Sequence, residues 1–485
     1  MIRDFIKEGT VYTLAGFLAK GVSLLLIPVF TAYFTPVDYG VLDLLYVFSM
    51  FFNALFSFQL GQGLIRYMGE SHEDKDMLKR LASSAFIFIL VAYTAGALIA
   101  LVFREPIMNL LGIPFQNYEK SYFLAVISIV LNGVFFFMSG HLQALRRKTE
   151  FAIASFLHAL LGILSTYFFV IILDKCVNGV FYATIAIVPI VILYQFICLR
   201  KEYGLIFHQS LMKKLLKYSL PLIPAAVAYV LLSLTDRIFI SYYLSKAELG
   251  IYSVGFKFSF AVSIVISGFS MALGPILYQR YHKEQTSNEL AILLNWFIVI
   301  GLFVVSSMSI FADETVYIFT QRPYYPASDV LPLLYFSVWF AGLAMFSPGM
   351  NLMKKTKWIA CVVSIAALIN VALNALLIPK IGIKGAALAT LISSMINYSV
   401  LFYLSFKLFR YKINLTLLLL SGFITLLSVA FTTSTRLALD LGEHVIFFKV
   451  LIVLSLCAGL IAVIRLKPSW FFYSKLNPSQ LHNAC

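Results

Sequence analysis

Eight residues pose the chemical question of this chain: LTDRIFIS, 234–241, in which Asp236 and Arg237 stand side by side inside an apolar run from about Tyr218 to Leu244. On a helix, neighbours point about 100° apart, so the two charges do not simply neutralise each other. A charge at the centre of a bilayer costs roughly 2.5–3.5 kcal/mol on insertion scales. Each therefore asks for a partner on another helix, or for a ligand. The other charges set in apolar segments are Lys20 near the middle of the first segment, Asp43 early in the second, Arg66 closing the second, and Lys257 in the outer third of the eighth. Arginine can fork onto two oxygens of an anion, while lysine acts as a point charge. Lys20, Arg237, Lys257 and Arg66 are thus candidates to hold an anion in a polar cleft. Each has a plainer reading: Arg237 pairs with an acid on a neighbouring helix, Lys20 and Lys257 snorkel to an interface, and Arg66 anchors the end of its span. Asp236 orients a cation by pairing, carries a coupling proton or sodium ion, or lines a polar seam. Asp43 is a candidate partner for such a pair; otherwise it is an acid at the outer interface.

Other polar groups carry less. Asn53, Gln59 and Gln62 recur in the second segment, and Asn370 and Asn374 share a helix face at i,i+4; such groups glue helices together. His141 and His158 have no partner at dyad or metal-ligand spacing. Cys176, Cys198, Cys361, Cys457 and Cys485 are scattered, with no C-x-x-C pair. No metal site, disulfide framework or cofactor is expected. Pro28, Pro189 and Pro348 are kink positions, and Pro28, late in the first segment, is the hinge candidate. Nor is there a large external loop or a cluster of catalytic His, Asp or Arg, so enzymatic chemistry is not expected.

The elements that must position these charges are membrane helices. The chain is 61% hydrophobic and 12% charged over 485 residues, against about 25% charged in globular domains. Apolar segments of spanning length recur about 14 times, near 10–34, 41–65, 81–103, 121–143, 151–173, 178–199, 219–244, 250–275, 290–312, 330–352, 358–379, 384–406, 415–435 and 446–464. Each supplies the ~20 residues needed to cross the hydrocarbon. Alternate loops hold about 25 Lys and Arg against about 9 in the opposite set. The basic side is expected to be cytoplasmic, with both termini there. The opening MIRDFIKEGT mixes both charge signs and does not read as a cleaved signal peptide. A formal charge of +15 points to anionic lipid headgroups rather than nucleic acid, since no soluble basic domain is present. The stretch LMKKLLKYS in the 200–218 link is basic and amphipathic. It reads either as a helix on the inner leaflet or as a plain linker. Aromatics at span ends read as interface belts.

The segments also repeat. FTAYFTPVDYGV (30–41) aligns with ISYYLSKAELGI (240–251) at an offset of 210, which sets Gly40 on Gly250. KTEF (148–151) aligns with KTKW (355–358) at 207, and NGVFYAT (178–184) with KGAALAT (384–390) at 206. The matches fall in order and in equivalent spans. They imply two pseudo-symmetric six-helix lobes of the same orientation, related by an axis along the membrane normal. The expected division is 1–217 for the first lobe and linker, 218–412 for the second lobe, and 413–485 for two further spans and a tail. Parallel repeats of this kind suit two lobes rocking about a site between them.

Three stretches, LAGFLAKGVSLLLIPVFTAYFTPVDYGVLDL with Arg66 closing the second span, LTDRIFISYYLSKAELGIYSV, and NVALNALLIPKIGIKGAALATLIS, resemble the polysaccharide-export branch of the multidrug/oligosaccharidyl-lipid/polysaccharide exporter superfamily. The resemblance runs over spans 1–12; spans 13 and 14 match in number only. It implies an all-α polytopic fold in which spans 1, 2, 7 and 8 face an inter-lobe cleft. It also implies a flippase for O-antigen, capsule or exopolysaccharide repeat units on undecaprenyl pyrophosphate, in the bacterial inner membrane. The partners would be that lipid-linked oligosaccharide, membrane lipids and, as a candidate, a glycan polymerase. A cation-coupled multidrug exporter shares the fold and is the rival reading; a membrane glycan polymerase or acyltransferase fits less well. The intramembrane charge is mainly basic, which favours an anionic cargo.

Overall fold

The computed structural model describes residues 26–70, 75–204, 207–280, 284–353 and 356–409, with isolated positions at 24 and between 419 and 453. Every regular element among the described residues is helical. Among the described residues ten helices are long and apolar enough to cross a membrane, or eleven if one bent pair counts as a span. The remaining spans of the expected fourteen fall largely on 1–23 and 410–485, outside the described residues, as does Lys20.

The first lobe runs from the short described part of α1 (26–33) through α2 (Pro36–Phe56), α3 (Leu60–Glu70), α4 (Lys75–Val102), α5 (Arg104–Leu111), α6 (Phe115–Ala144), α7 (Lys148–Tyr167, prolonged by a π-turn, Phe168–Ile172) and α8 (Cys176–Leu199). Its helices gather round α6, which meets α2, α3, α4, α7 and α8. The second lobe holds α10 (Ile223–Tyr243), α11 (Lys246–Arg280), α12 (Glu284–Ile310), α13 (Ala312–Phe319), α14 (Leu331–Gly342), α15 (Pro348–Leu352), α16 (Thr356–Ile381) and α17 (Ile383–Leu408). A linker helix, α9 (Gln209–Ser219), joins the lobes. Outward faces stay apolar: Leu98, Val102, Leu164, Ile190, Leu193, Leu368 and Leu376 are exposed, as befits side chains whose solvent is lipid.

Helices α2 and α11 begin at equivalent points of the repeat because their caps repeat too. The Thr35 hydroxyl accepts from the Asp38 amide at 3.2 Å, the Asp38 carboxylate accepts from the Thr35 amide at 3.2 Å, and Pro36 occupies the first turn. At 210 residues' distance the Ser245 hydroxyl accepts from the Glu248 amide at 3.1 Å and donates to the Glu248 carboxylate at 3.4 Å. The first is a full capping box and the second shares its side-chain cap on the N3 amide; each satisfies an amide that a helix start leaves orphaned. This end carries the sparsely charged loops and is called the far end below; the opposite, basic end carries the Lys- and Arg-rich loops.

The lobes meet mainly where α2 crosses α11, with α10 also against α2. At the crossing Gly40 faces Gly250, and a Cβ on Gly40 would lie 2.0 Å from the Lys246 carbonyl oxygen. Only glycine lets the backbones come this close. Further lobe-to-lobe bonds cluster at the same end: the Tyr324 hydroxyl donates to the Phe34 carbonyl at 2.9 Å, and the Ser241 hydroxyl to the Leu111 carbonyl at 3.2 Å.

Four local features depart from the sequence reading. The second segment is not one span over 41–65. It starts at Pro36 and breaks after Phe56, where Phe58 and Gln59 take positive φ of 48° and 50°; neither a proline nor a glycine marks the break. Of the kink positions, Pro189 lies inside a continuous α8, whereas Pro348 opens α15 after a 3₁₀ turn, Leu343–Phe346. Helix α9 is neither a plain linker nor a helix that only lies on lipid. Its apolar Met212 and Leu215 are buried against the first lobe, and Lys213, Lys214 and Lys217 remain exposed. The Ser83 and Ser84 hydroxyls accept from the Gly204 and His208 amides at 2.8 Å each, tying the approach to α9 onto α4. His141, expected to be alone, is bonded through Nδ1 to the Tyr203 hydroxyl at 2.7 Å. Burial and the neighbouring Glu202 push that hydroxyl well above the usual phenol range.

Candidate functional site: a charged cluster between the lobes

Arg237 sits on α10, in the stretch Leu234–Arg237 where burial of that helix begins. Its Nε donates to the Asp43 carboxylate, on α2 of the other lobe, at 2.6 Å. Its Nη1 donates to the Ser233 carbonyl at 3.1 Å and lies 3.4 Å from the Asp236 carboxylate. The Phe256 ring covers the guanidinium, 4.3 Å from the ring centre. All three charged residues are nearly closed off: Arg237 is 5% exposed, Asp43 7% and Asp236 3%.

Each carboxylate is held by its own second donor. The Ser253 hydroxyl donates to Asp43 at 2.7 Å. The Tyr252 hydroxyl donates to Asp236, which also accepts from the Arg237 amide at 2.9 Å. Buried charges persist only when paired and hydrogen-bonded in this way. Asp236 is thus anchored within the second lobe, by α11, whereas Asp43 is the contribution of the first lobe. Asp43 and Ser253 are themselves separated by 210 residues, the repeat offset, so the contact joins equivalent positions across the pseudo-twofold axis.

Lys257 lies one turn beyond Ser253 on α11. Among the described residues it makes no hydrogen bond or salt bridge; three rings of the first lobe surround its ammonium. The Tyr39, Phe30 and Tyr46 ring centres are 4.7, 5.3 and 6.0 Å away. Ring faces attract a cation, but they leave it available to a stronger, anionic partner. The Tyr39 hydroxyl is buried with no hydrogen-bond partner among the described residues.

The structure therefore brings Asp43, Asp236, Arg237 and Lys257 together. It sets Arg66 apart, exposed at the basic end with its guanidinium 4.4 Å from the Tyr218 ring centre. Pro28 lies in the described part of α1, where the Thr31 hydroxyl bonds back to the Ile27 carbonyl at 2.9 Å; residues 1–23 are outside the described residues. Sequence reasoning missed Tyr252, Ser253, Phe256 and the rings around Lys257. For Ser253 a signal was present, since the offset that sets Gly40 on Gly250 sets Asp43 on Ser253. The polar pair Asn370 and Asn374 is as expected: the Asn374 amide donates to Asn370 at 2.9 Å, and both are buried.

Known proteins share the fold. The structure is similar to the lipid II flippase MurJ in its inward closed conformation (TM-score 0.74, 17% identity, 94% of this chain and 98% of that chain). It is also similar to the inward-facing conformation of a multidrug resistance MATE family transporter (TM-score 0.69, 14% identity, 80% and 93%). A curated relative, an uncharacterized membrane protein of Methanocaldococcus jannaschii, is 23% identical over 468 residues, covering 88% of this chain and 89% of its own. The MatE family model matches residues 221–376. The model described as Polysaccharide biosynthesis protein matches residues 5–282, more than half of the 485-residue chain. The chain belongs to the polysaccharide biosynthesis protein family.

Proposed function

We propose that the protein is a flippase. It carries undecaprenyl-pyrophosphate-linked oligosaccharide repeat units from the inner to the outer leaflet of a bacterial inner membrane, by alternating access, for O-antigen, capsule or exopolysaccharide assembly. The observation that carries this reading is the distribution of cations at the lobe interface. Arg237 and Lys257 both belong to the second lobe, at a seam that joins the lobes at one end. Moving a pyrophosphate past hydrocarbon is prohibitive, and a forked guanidinium beside an ammonium compensates that charge. Lys20 and Arg66 would extend the same path, Arg66 at its basic mouth. The basic end faces the cytoplasm in this reading, so the seam closes the outer side and the cargo loads from within. The lipid tail stays in the bilayer, and the protein forms and breaks no covalent bond.

The MatE match over 221–376 supports the rival, a cation-coupled drug exporter in which Asp43 and Asp236 take the coupling ion. One experiment separates the two. The gene is deleted in its host, and lipid-linked oligosaccharide facing the cytoplasm is measured with surface glycan. Accumulation inside with loss of glycan is expected. Intact glycan with raised drug sensitivity would give the protein to the rival.

A further inference from the structure

The Arg237 site is already occupied, by a side chain that belongs to the opposite lobe. Of the four charges at the seam, Asp43 alone comes from the first lobe; Asp236, Arg237 and Lys257 lie on α10 and α11. Parting the lobes at the far end therefore leaves two cations against one carboxylate on the second lobe, and a lone carboxylate on the first. While joined, the four balance. Separating them without replacement leaves charges unpaired in a poorly solvated seam, which is unfavourable. An anion on the second lobe removes that cost.

Arg237 is laid out for such a replacement. Its Nε holds Asp43, and its Nη1 reaches the Ser233 carbonyl, one turn toward the basic end. Among the described residues its Nη2 makes no hydrogen bond. Burial along α10 begins only at Leu234; Tyr229 is 65% exposed and Leu231 37%. Toward the basic end, α10 is therefore less covered than it is at Arg237. Asp236 does not compete, because Tyr252 and the Arg237 amide keep it in place.

We propose that Asp43 is a built-in stand-in for the cargo's anionic group: it holds Arg237 while the far end is shut, and a pyrophosphate that takes its place on Arg237 releases that end. The exchange rests on the flippase reading above and explains how loading would trigger opening. Two carboxylate-like ligands cannot both take the Nε edge of one guanidinium, so cargo and lobe closure compete for it. Ser253 belongs to the same latch, since its hydroxyl bonds to Asp43 from the second lobe.

The test uses the full chain in lipid nanodiscs and two probes, inorganic pyrophosphate and undecaprenyl pyrophosphate. Removing a competitor strengthens binding, so Asp43→Asn is expected to bind about tenfold more tightly than wild type, and Ser253→Ala about two- to threefold more tightly. Arg237→Gln loses the binding. Spin labels at Tyr33→Cys and Tyr242→Cys, both exposed at the far ends of their helices, supply a second readout. Pyrophosphate lengthens their separation in wild type, and Asp43→Asn has the longer distance without it. Tightening with both probes assigns the displacing group to pyrophosphate itself; tightening with the lipid probe alone assigns it to the lipid-borne headgroup. Both support the exchange. Wild-type binding that Asp43→Asn leaves equal or weaker overturns it, and leaves the flippase reading standing. If Asp43→Asn is not recovered folded, an unchanged or weaker affinity in Ser253→Ala overturns it. Absence of binding by wild type to either probe removes both ideas together.

Discussion

Gly40 and Gly250 touch backbone to backbone: a Cβ on Gly250 would lie 1.9 Å from the Pro36 carbonyl oxygen and 3.0 Å from the Gly40 amide. No side chain can move aside to relieve such a contact, because the obstacle is main chain. Gly40→Ala and Gly250→Ala are expected to keep α2 and α11 from seating, so that the far end stays open. Ser253, 1% exposed, gives the check. A cysteine there is protected from a membrane-impermeant maleimide on the far side of the parent protein, and reacts in either alanine variant. Equal protection in all three would mean that the crossing does not close the protein.

Arg237→Gln strands two buried carboxylates. Breaking one member of a buried ion pair costs about 3–5 kcal/mol, so the single variant unfolds at markedly lower temperature or denaturant. Adding Asp43→Asn to it returns much of that loss, without returning transport. A single variant within about 1 kcal/mol of wild type would show the cluster to be better solvated than its burial indicates.

Lys257 separates packing from charge. Its ring contacts are each worth about 0.5–2 kcal/mol, and a methionine keeps most of the apolar contact. Lys257→Met should therefore fold and reach the membrane while glycan export falls at least tenfold; Lys257→Arg restores a share of it. Export by Lys257→Met at the wild-type rate would free Lys257 from any role in cargo handling.

A fourth expectation concerns the C-terminal segment. Lys449 is 1% exposed, and its ammonium meets the Glu314 carboxylate of α13 at 2.7 Å. Glu314→Gln is expected to destabilise the protein by about 2 kcal/mol, read by thermal unfolding, and to raise proteolysis of the segment after 413. Unchanged unfolding and cleavage would show that this pair does not hold the segment in place.

Much of this architecture was legible in the residues. The offset that sets Gly40 on Gly250 names the helices that cross, and the same register leads from Asp43 to Ser253. Asp43 was also legible as a partner for a buried charge pair, since spans at the repeat edge pack together. The aromatic surroundings of Lys257 were not legible. In a chain with 45 Phe and 27 Tyr, a ring near a helix end reads equally well as an interface belt. How α1 and α2 pack against α11 decides which rings reach the ammonium. The break at Phe58 and Gln59 was hidden for a related reason: both take left-handed backbone without the glycine or proline that usually announces it. The apolar stripe of α9 was visible, but its destination, protein rather than lipid, depends on Gly63. A Cβ there would lie 2.6 Å from the Leu215 side chain and 2.5 Å from the Ser219 hydroxyl.

That seat at Gly63 has a mechanical corollary. Helix α9 rides on the first lobe, yet the chain passes from it through the short turn Leu220–Leu222, with Pro221 and Pro224 close together, straight into α10 of the second. The strap between the lobes is thus packed onto the first and runs through two prolines into the second. Should the lobes part as proposed, α9 would stay on the first lobe as a sill and α10 would move as the door leaf beyond the two prolines. The doorway at the basic end would then widen from one jamb only, the one that carries Arg237.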